Sequence, residues 1–258
     1  MTTLDFSARK KSGQRISMIT CYDAAFARIV NASGVDCILI GDSCAMVMHG
    51  ERTTIPATMD MMAMHTKAVR TGAPDKFIVA DMPFLSTRKG AVHAVECAGA
   101  LLCAGANAVK IEGVFGQEDT LRHIVQSGIP VMAHLGLTPQ FYNSLGGHKM
   151  QGKTQDAADK IKEEARLAEQ CGCFSILLEC VPAALAADIT RAADVATIGI
   201  GAGGKTDGQV LVLQDMLGMS GFCPSFVKKY LDGEALIAGA LNQYASEVQS
   251  GAFPPPRE

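Results

Sequence analysis

The chain has 258 residues, 48% of them hydrophobic and 19% charged, with 23 basic against 26 acidic side chains. That composition excludes a disordered chain, a collagen-like repeat and a coiled coil, and a formal net charge of -3 leaves no electrostatic footprint for nucleic acid or an anionic membrane. At this length roughly 70% of the unfolded surface can be buried, so the core needs no staples.

The opening MTTLDFSARKKSGQR has basic residues with no apolar run behind them and reads as a short extension, not a leader peptide. From Ile16 onward, short apolar runs alternate with helical patterns. Strands are expected at Ile16 to Thr20, Cys37 to Gly41, Phe77 to Asp81, Ala108 to Glu112, Val131 to His134, Ser175 to Glu179, Thr197 to Gly201 and Val210 to Leu213. Each is apolar on both faces, as in a parallel sheet covered on both sides. Helices are expected at Asp23 to Asn31, Thr58 to Arg70, Lys89 to Cys103, Glu118 to Gln126, Thr154 to Gln170 and Pro182 to Ala192. Asp23, Thr58 and Thr154 stand where N-caps belong, Pro182 falls in a first turn, and Gly34, Gly72, Gly105, Gly128 and Gly172 close helices. This alternation predicts a (β/α)₈ barrel, one domain over 1–258, with a doubly wound open sheet as the alternative. No segment approaches the roughly 20 apolar residues of a membrane span, so a cytoplasmic protein is expected. The closing FPPPRE, Phe253 to Glu258, reads as a frayed tail.

Nine cysteines, at 21, 37, 44, 97, 103, 171, 173, 180 and 223, include no C-x-x-C pair and read as reduced core thiols. The run GIGAGG, beginning at Gly199, matches G-x-G-x-x-G, but a dinucleotide fingerprint should open a helix in the first βα unit. Here it lies late in the chain and is followed by KTDGQVLVLQD, so it reads as a tight turn after a late strand, with backbone N–H groups near a ligand.

The chemistry gathers where the strands end. ILIGDS ends in Asp42 and Ser43, IVAD in Asp81, AVKIE in Lys110 and Glu112, VMAH in His134, and SILLE in Glu179. In a parallel barrel these ends open onto one mouth. A single acid after a strand is readily a helix N-cap, but four in succession crowd negative charge that calls for a cation. Magnesium takes oxygen ligands and leaves places for water and substrate, whereas zinc would want histidine or thiolate, and His134 is the only strand-end histidine. A substrate with two adjacent oxygens, such as an α-keto acid, suits such a metal, and a base must then serve the carbon beside the ketone.

Nine segments then carry a family resemblance. ITCYD, LIGDSCAMVMHG, HTKAVRTGAP, VADMPF, GANAVKIEG, PVMAHLGLTPQ, GGHKMQGK, LLECVP and IGIGAGGKTDGQVLVLQDMLGM resemble, in order, the 3-methyl-2-oxobutanoate (ketopantoate) hydroxymethyltransferases. The resemblance implies hydroxymethyl transfer from 5,10-methylenetetrahydrofolate to 3-methyl-2-oxobutanoate, giving 2-dehydropantoate for pantothenate synthesis. It also implies a (β/α)₈ barrel, Mg²⁺ dependence and a large homo-oligomer, often a decamer. Carried over by position, Asp42, Asp81 and Glu112 form the magnesium site. Asp42, Ser43, Asp81 and Lys110 contact the keto acid, Glu179 accepts the proton, and His134 lines the pocket. Cys44, Ala45 and His148 depart from the usual family residues, outside the positions given chemical roles.

Other features read as structural. His49, His65, His93, His123 and His148 fall on helices or loops, Met59, Met61, Met62 and Met64 spread around one helix, and Lys228 with Lys229 suggests a solvated helix face. A magnesium-dependent carbon-carbon lyase of the isocitrate lyase type would share the barrel but should carry a K-K-C-G-H loop, absent here. A non-catalytic keto-acid-binding barrel would be expected to lose the base, whereas Glu179 is present.

Overall fold

Eight short strands pair in parallel and in chain order in the computed structural model, which describes residues 1–221 and 224–255. They are β1 (Ile16–Thr20), β2 (Cys37–Ile40), β3 (Phe77–Asp81), β4 (Ala108–Glu112), β5 (Val131–Gly136), β6 (Ser175–Glu179), β7 (Ala196–Ile200) and β8 (Gly208–Leu211), and β8 pairs back onto β1 to close a barrel. The strands are buried on both faces along most of their length, which is why they accept parallel neighbours and an outer layer of helices. The barrel expectation holds and the open sheet does not.

The chain divides into two compact units, Met1–Leu211 and Val212–Glu258, and the first holds every strand of the barrel. Its long helices are α1 (Thr3–Ser12), α2 (Ala24–Ala32), α4 (Met59–Gly72), α5 (Ala91–Cys103), α6 (Glu118–Gln126), α8 (Gln155–Gln170) and α9 (Ala183–Ala192), with single turns at α3 (Cys44–Val47) and α7 (Tyr142–Leu145). The expected caps act as caps: Asp23 accepts from the N–H groups of Ala25 and Phe26, Thr58 from Met61 and Thr154 from Ala157. Gly72 does not close its helix by turning left-handed. It is the last residue of α4, and a Cβ there would come within 2.4 Å of the Ala24 carbonyl, so it is small to let α2 approach.

Strand β8 starts two residues before its expected position. Gly208 pairs with both Ile16 and Ile198, and a Cβ on it would meet the Ile16 carbonyl oxygen at 2.5 Å, so the ladder itself demands a glycine at this position. Gly199 of GIGAGG lies inside β7, and Gly201 and Gly203, at φ 60° and 76°, turn the chain toward β8 with no helix between, which removes the dinucleotide reading.

The N-terminal extension is a structural element. Helix α1 buries one side chain, Phe6, whose ring lies 5.5 Å from Phe77 and 5.1 Å from Phe174. Phe77 opens β3 and Phe174 precedes β6, so α1 stops the N-terminal end of the barrel with an aromatic plug. Above it Ile16, Met18, Leu39, Val79, Ala108, Met132, Leu177 and Ile198 fill the interior.

The second unit contains α10 (Leu213–Met216) and α11 (Gly233–Ser250), linked through Tyr230 and Gly233 N–H groups that donate to the Met216 and Leu217 carbonyls. The segment holding Lys228 and Lys229 is not helical, contrary to the expectation, and Lys228 lies 4.9 Å over the Tyr230 ring. Of the eight described cysteines all are free and six are buried, but Cys103, the last residue of α5, is exposed, and Cys180 is half-buried. Cys223 and the last three residues of the expected tail lie outside the described residues. Among the described residues no helix is long and apolar enough to cross a membrane.

Candidate functional site

The inward rows of the barrel change character along each strand. Side chains two residues apart share a face, so the row that begins with Val79 ends with Asp81, Ala108 is followed by Lys110 and Glu112, Met132 by His134, and Leu177 by Glu179. Register then sets these ends side by side. Asp81 is paired with Lys110 across β3 and β4, and Glu112 with His134 across β4 and β5. Asp42 and Ser43 follow β2 after Gly41, where a Cβ would strike the Ser43 Oγ at 2.5 Å. The structure thus brings together all seven residues singled out in the sequence.

Asp42, Asp81, Lys110, Glu112 and His134 are each no more than 5% exposed, a density of buried charge that only mutual pairing sustains. Lys110 Nζ lies 3.2 Å from Asp81 Oδ2, 3.8 Å from Glu112 Oε1 and 2.9 Å from His134 Nδ1. His134 Nδ1 is 3.3 Å from Glu112 Oε1, and its Nε2 is 3.1 Å from Glu179 Oε2. The Asp42 backbone N–H donates to Asp81 Oδ2 at 3.0 Å.

Burial raises the pKa of Asp42 well above the usual aspartate range, and the Glu112 and Asp81 charges add to it. Burial also lifts Asp81, with Lys110 and the Asp42 N–H pulling the other way. Glu112 is lowered despite burial, because His134, Lys110 and the Gln140 N–H stabilise its charge. For Lys110 the burial penalty is outweighed by Asp81, Glu112, Asp42 and Glu179, which hold it above its ordinary value. Burial and Lys110 disfavour a charged His134, yet Glu112 and Glu179 lift its pKa to about 9. His134 thus sits between an ammonium and two carboxylates, with Nδ1 beside Lys110 and Glu112 and Nε2 beside Glu179.

Glu179 is the least buried of these acids, its side chain 19% exposed. Its backbone is locked: the Glu179 carbonyl accepts from the Leu137 N–H at 2.8 Å, and a Cβ at Gly136, φ 91°, would meet that oxygen at 2.4 Å. Cys180, next in the chain, has φ 46°, a left-handed conformation rare for a side chain with a Cβ. Ser43 Oγ shares a 2.9 Å hydrogen bond with the Tyr22 hydroxyl, and Tyr22 is 1% exposed.

Two further residues of this network lie in segments that carry the family resemblance, ITCYD and PVMAHLGLTPQ, but outside the charged strand ends. Tyr22 follows β1, and Gln140 is an uncharged amide in the turn Pro139–Phe141 after β5. Gln140 nevertheless donates from Nε2 to Asp42 Oδ2 at 2.8 Å and to the Met82 carbonyl at 2.9 Å, and from its backbone N–H to Glu112 Oε2 at 2.9 Å. The departures from the family pattern are accommodated by packing: the Ala45 N–H donates to the Asp42 carbonyl at 3.0 Å, just behind the charged cluster. Cys44 and Ala45 are fully buried, with Cys44 Sγ 3.7 Å from Met62 Sδ, while His148 is exposed and stacks edge-on to Tyr142 at 5.1 Å. Of the remaining histidines, His65 is buried, its Nδ1 2.6 Å from the Tyr22 carbonyl and its Nε2 3.0 Å from His49 Nε2. Of the four methionines on α4, Met62 is fully buried and Met64 is 57% exposed.

The donor set suits a hard divalent cation. Asp81 Oδ1 and Glu112 Oε1 are buried without a hydrogen-bond partner, while the other oxygen of each carboxylate is held by the protein. Among the described residues no group of three or more His, Cys, Asp or Glu side chains is assembled as a ready metal shell. Magnesium does not require one, because it uses one or two protein carboxylates and fills its octahedron with water and substrate oxygens.

Residues 1–256 match the family model described as ketopantoate hydroxymethyltransferase. The chain is 56% identical over 258 residues to a 3-methyl-2-oxobutanoate hydroxymethyltransferase from Bdellovibrio bacteriovorus, covering 100% of this chain and 98% of that protein. It is 52% identical over 254 residues to the protein of the same name from Francisella tularensis subsp. tularensis, covering 98% and 96%. In fold it is similar to 2,3-dimethylmalate lyase, of the PEP mutase/isocitrate lyase superfamily, with TM-score 0.61 and 14% identity over 99% of this chain and 90% of that one. Phosphonopyruvate hydrolase is similar in the same way, with TM-score 0.65 and 11% identity over 99% and 90%.

Proposed function

The chain belongs to the ketopantoate hydroxymethyltransferase family, and from that premise we propose that the buried acidic mouth of its barrel is where the transfer takes place. The reaction is the addition of a hydroxymethyl group to 3-methyl-2-oxobutanoate, in the service of pantothenate synthesis. The donor is 5,10-methylenetetrahydrofolate and the product 2-dehydropantoate. Asp42 and Asp81 would hold Mg²⁺, with Glu112 behind them. When bound, the ion supplies positive charge to the keto and carboxylate oxygens of the substrate.

Four carboxylates face one lysine in this mouth, and that imbalance is the observation that carries the reading. Lys110 places its ammonium beside Asp81 and Glu112, where it attracts the substrate carboxylate and the negative charge that grows on the keto oxygen. Glu179, locked in backbone and partly open to solvent, takes the proton from C3 of the keto acid. The resulting enolate forms the new bond from C3 to the methylene carbon of the folate, the bonds from that carbon to the folate nitrogens break, one water supplies the hydroxyl, and tetrahydrofolate leaves. His134, with Nε2 3.1 Å from Glu179 Oε2, lines the pocket beside that carboxylate, as does Ser43, tied to Tyr22.

The enzyme is read as cytoplasmic and as a homo-oligomer, a decamer by family resemblance. The exposed Leu236, Leu241 and Tyr244 along α11 support contact between subunits. Assay of 2-dehydropantoate formation from 3-methyl-2-oxobutanoate and methylenetetrahydrofolate tests the reading. Turnover should stop with a chelator and return with Mg²⁺, and full activity in a demetallated sample would overturn the metal role.

A further inference from the structure

We propose that Gln140 is a positioning residue that fixes the Asp42 carboxylate for the divalent cation and ties Glu112 to the same frame. The inference rests on the magnesium reading above. A primary amide has two N–H groups, and Gln140 uses both, on Asp42 Oδ2 at 2.8 Å and on the Met82 carbonyl at 2.9 Å. Its orientation is therefore fully specified. Met82 follows the last residue of β3, Asp42 follows β2, and Glu112 ends β4, where Oε2 accepts from the Gln140 backbone N–H at 2.9 Å. One residue, 8% exposed, thus spans the ends of three neighbouring strands.

The choice of an amide has a physical reason. Asp42, Asp81 and Glu112 repel one another, and something must hold them in a fixed arrangement before a cation arrives. A lysine or arginine would do so by cancelling the negative charge that draws the cation. A neutral donor orients the carboxylate and leaves its charge intact. Groups that orient metal ligands from behind typically contribute 10–100-fold to metal affinity.

The test reads metal uptake without turnover. Mn²⁺ binding is titrated by the loss of the free-ion electron paramagnetic resonance signal in the wild type, Gln140→Met, Gln140→Asn, Asp42→Asn and the Asp42→Asn/Gln140→Met double variant. Gln140→Met keeps the length but loses both donors, and Gln140→Asn keeps the amide but is one methylene too short. Both retain the backbone N–H to Glu112. Each should raise the Mn²⁺ dissociation constant about tenfold or more at unchanged stoichiometry. In the double variant Gln140→Met should add little to the loss from Asp42→Asn, because its effect passes through Asp42. Wild-type affinity in both Gln140 variants, or a full tenfold addition in the double variant, overturns the proposal. Failure of the wild type itself to take up Mn²⁺ overturns the metal reading instead.

Discussion

The two ends of the barrel are built from the same inward rows and meet opposite demands. At the N-terminal end Phe6, Phe77 and Phe174 interlock beneath Ile16 and Met18, a plug of apolar side chains. At the C-terminal end the rows finish in Asp81, Lys110, Glu112, His134 and Glu179, and burial raises Asp42 and Asp81 above the ordinary aspartate range. A raised carboxylate pKa means that its charged form is less favourable in the folded chain than in the unfolded one. The mouth thus draws on stability that the base of the barrel provides, an exchange expected where strained or repelling groups serve a reaction.

Replacing the base should break the comparison on the activity side. Glu179→Gln should lower kcat by about 10² to 10⁴ while the urea midpoint stays that of the wild type, because Glu179 is partly exposed and its backbone contacts remain. Exchange of the C3 hydrogen of 3-methyl-2-oxobutanoate with D₂O, followed by NMR without folate, should disappear with it. Retained exchange would move the base to another residue.

Phe6→Ala probes the other end. Removing a fully buried ring from the plug should cost about 3–5 kcal/mol in urea unfolding and leave kcat per folded chain unchanged. A loss of kcat without a loss of stability would show that the two ends do not divide the work this way.

Asp36 gives the smallest effect, and one with the opposite sign of pH dependence from the mouth aspartates. Its carboxylate accepts from the Ser17 N–H and hydroxyl, both at 2.8 Å, and pairs with Arg9 at 2.7 Å. Burial works against the charge, but these partners outweigh it and hold the pKa below the usual 3.8. A lowered folded pKa contributes stability above the unfolded value and loses it as pH falls through the folded one. Asp36→Asn should therefore destabilise by about 1 kcal/mol at neutral pH, and the gap to the wild type should close below pH 3.8. Denaturation midpoints measured across that window check it, and a gap independent of pH would show that shape, not charge, matters at Asp36.

The alternation of short apolar runs with capped helices was enough to read the barrel, because a strand buried on both faces has no polar row and each cap announces itself by residue type. Asp23, Thr58 and Thr154 are examples. The charged residues of the mouth were legible for a related reason: one acid ending an apolar strand can serve as a helix cap, but four acids and a lysine at successive strand ends exceed what capping needs. Gly72, expected to close a helix, is small instead for a neighbour distant in sequence, Ala24, and Gly208, just before the expected start of β8, is small for Ile16. Helix α11 was missed because its apolar residues Leu236, Leu241 and Tyr244 are exposed, so no buried stripe sets it apart from a loop.

The sequence by itself determined which residues end the strands, and therefore the fold, the family and the charged residues of the mouth. Only the tertiary structure decided how those residues share charge: that Lys110 serves Asp81, Glu112 and His134 together, that His134 lies between Glu112 and Glu179, and that Gln140 joins Asp42 to Glu112. Composition and period are local properties of the chain. Which donor meets which acceptor depends on barrel register and on loops that close across nearly a hundred residues, as between Asp42 and Gln140, and no local pattern records it.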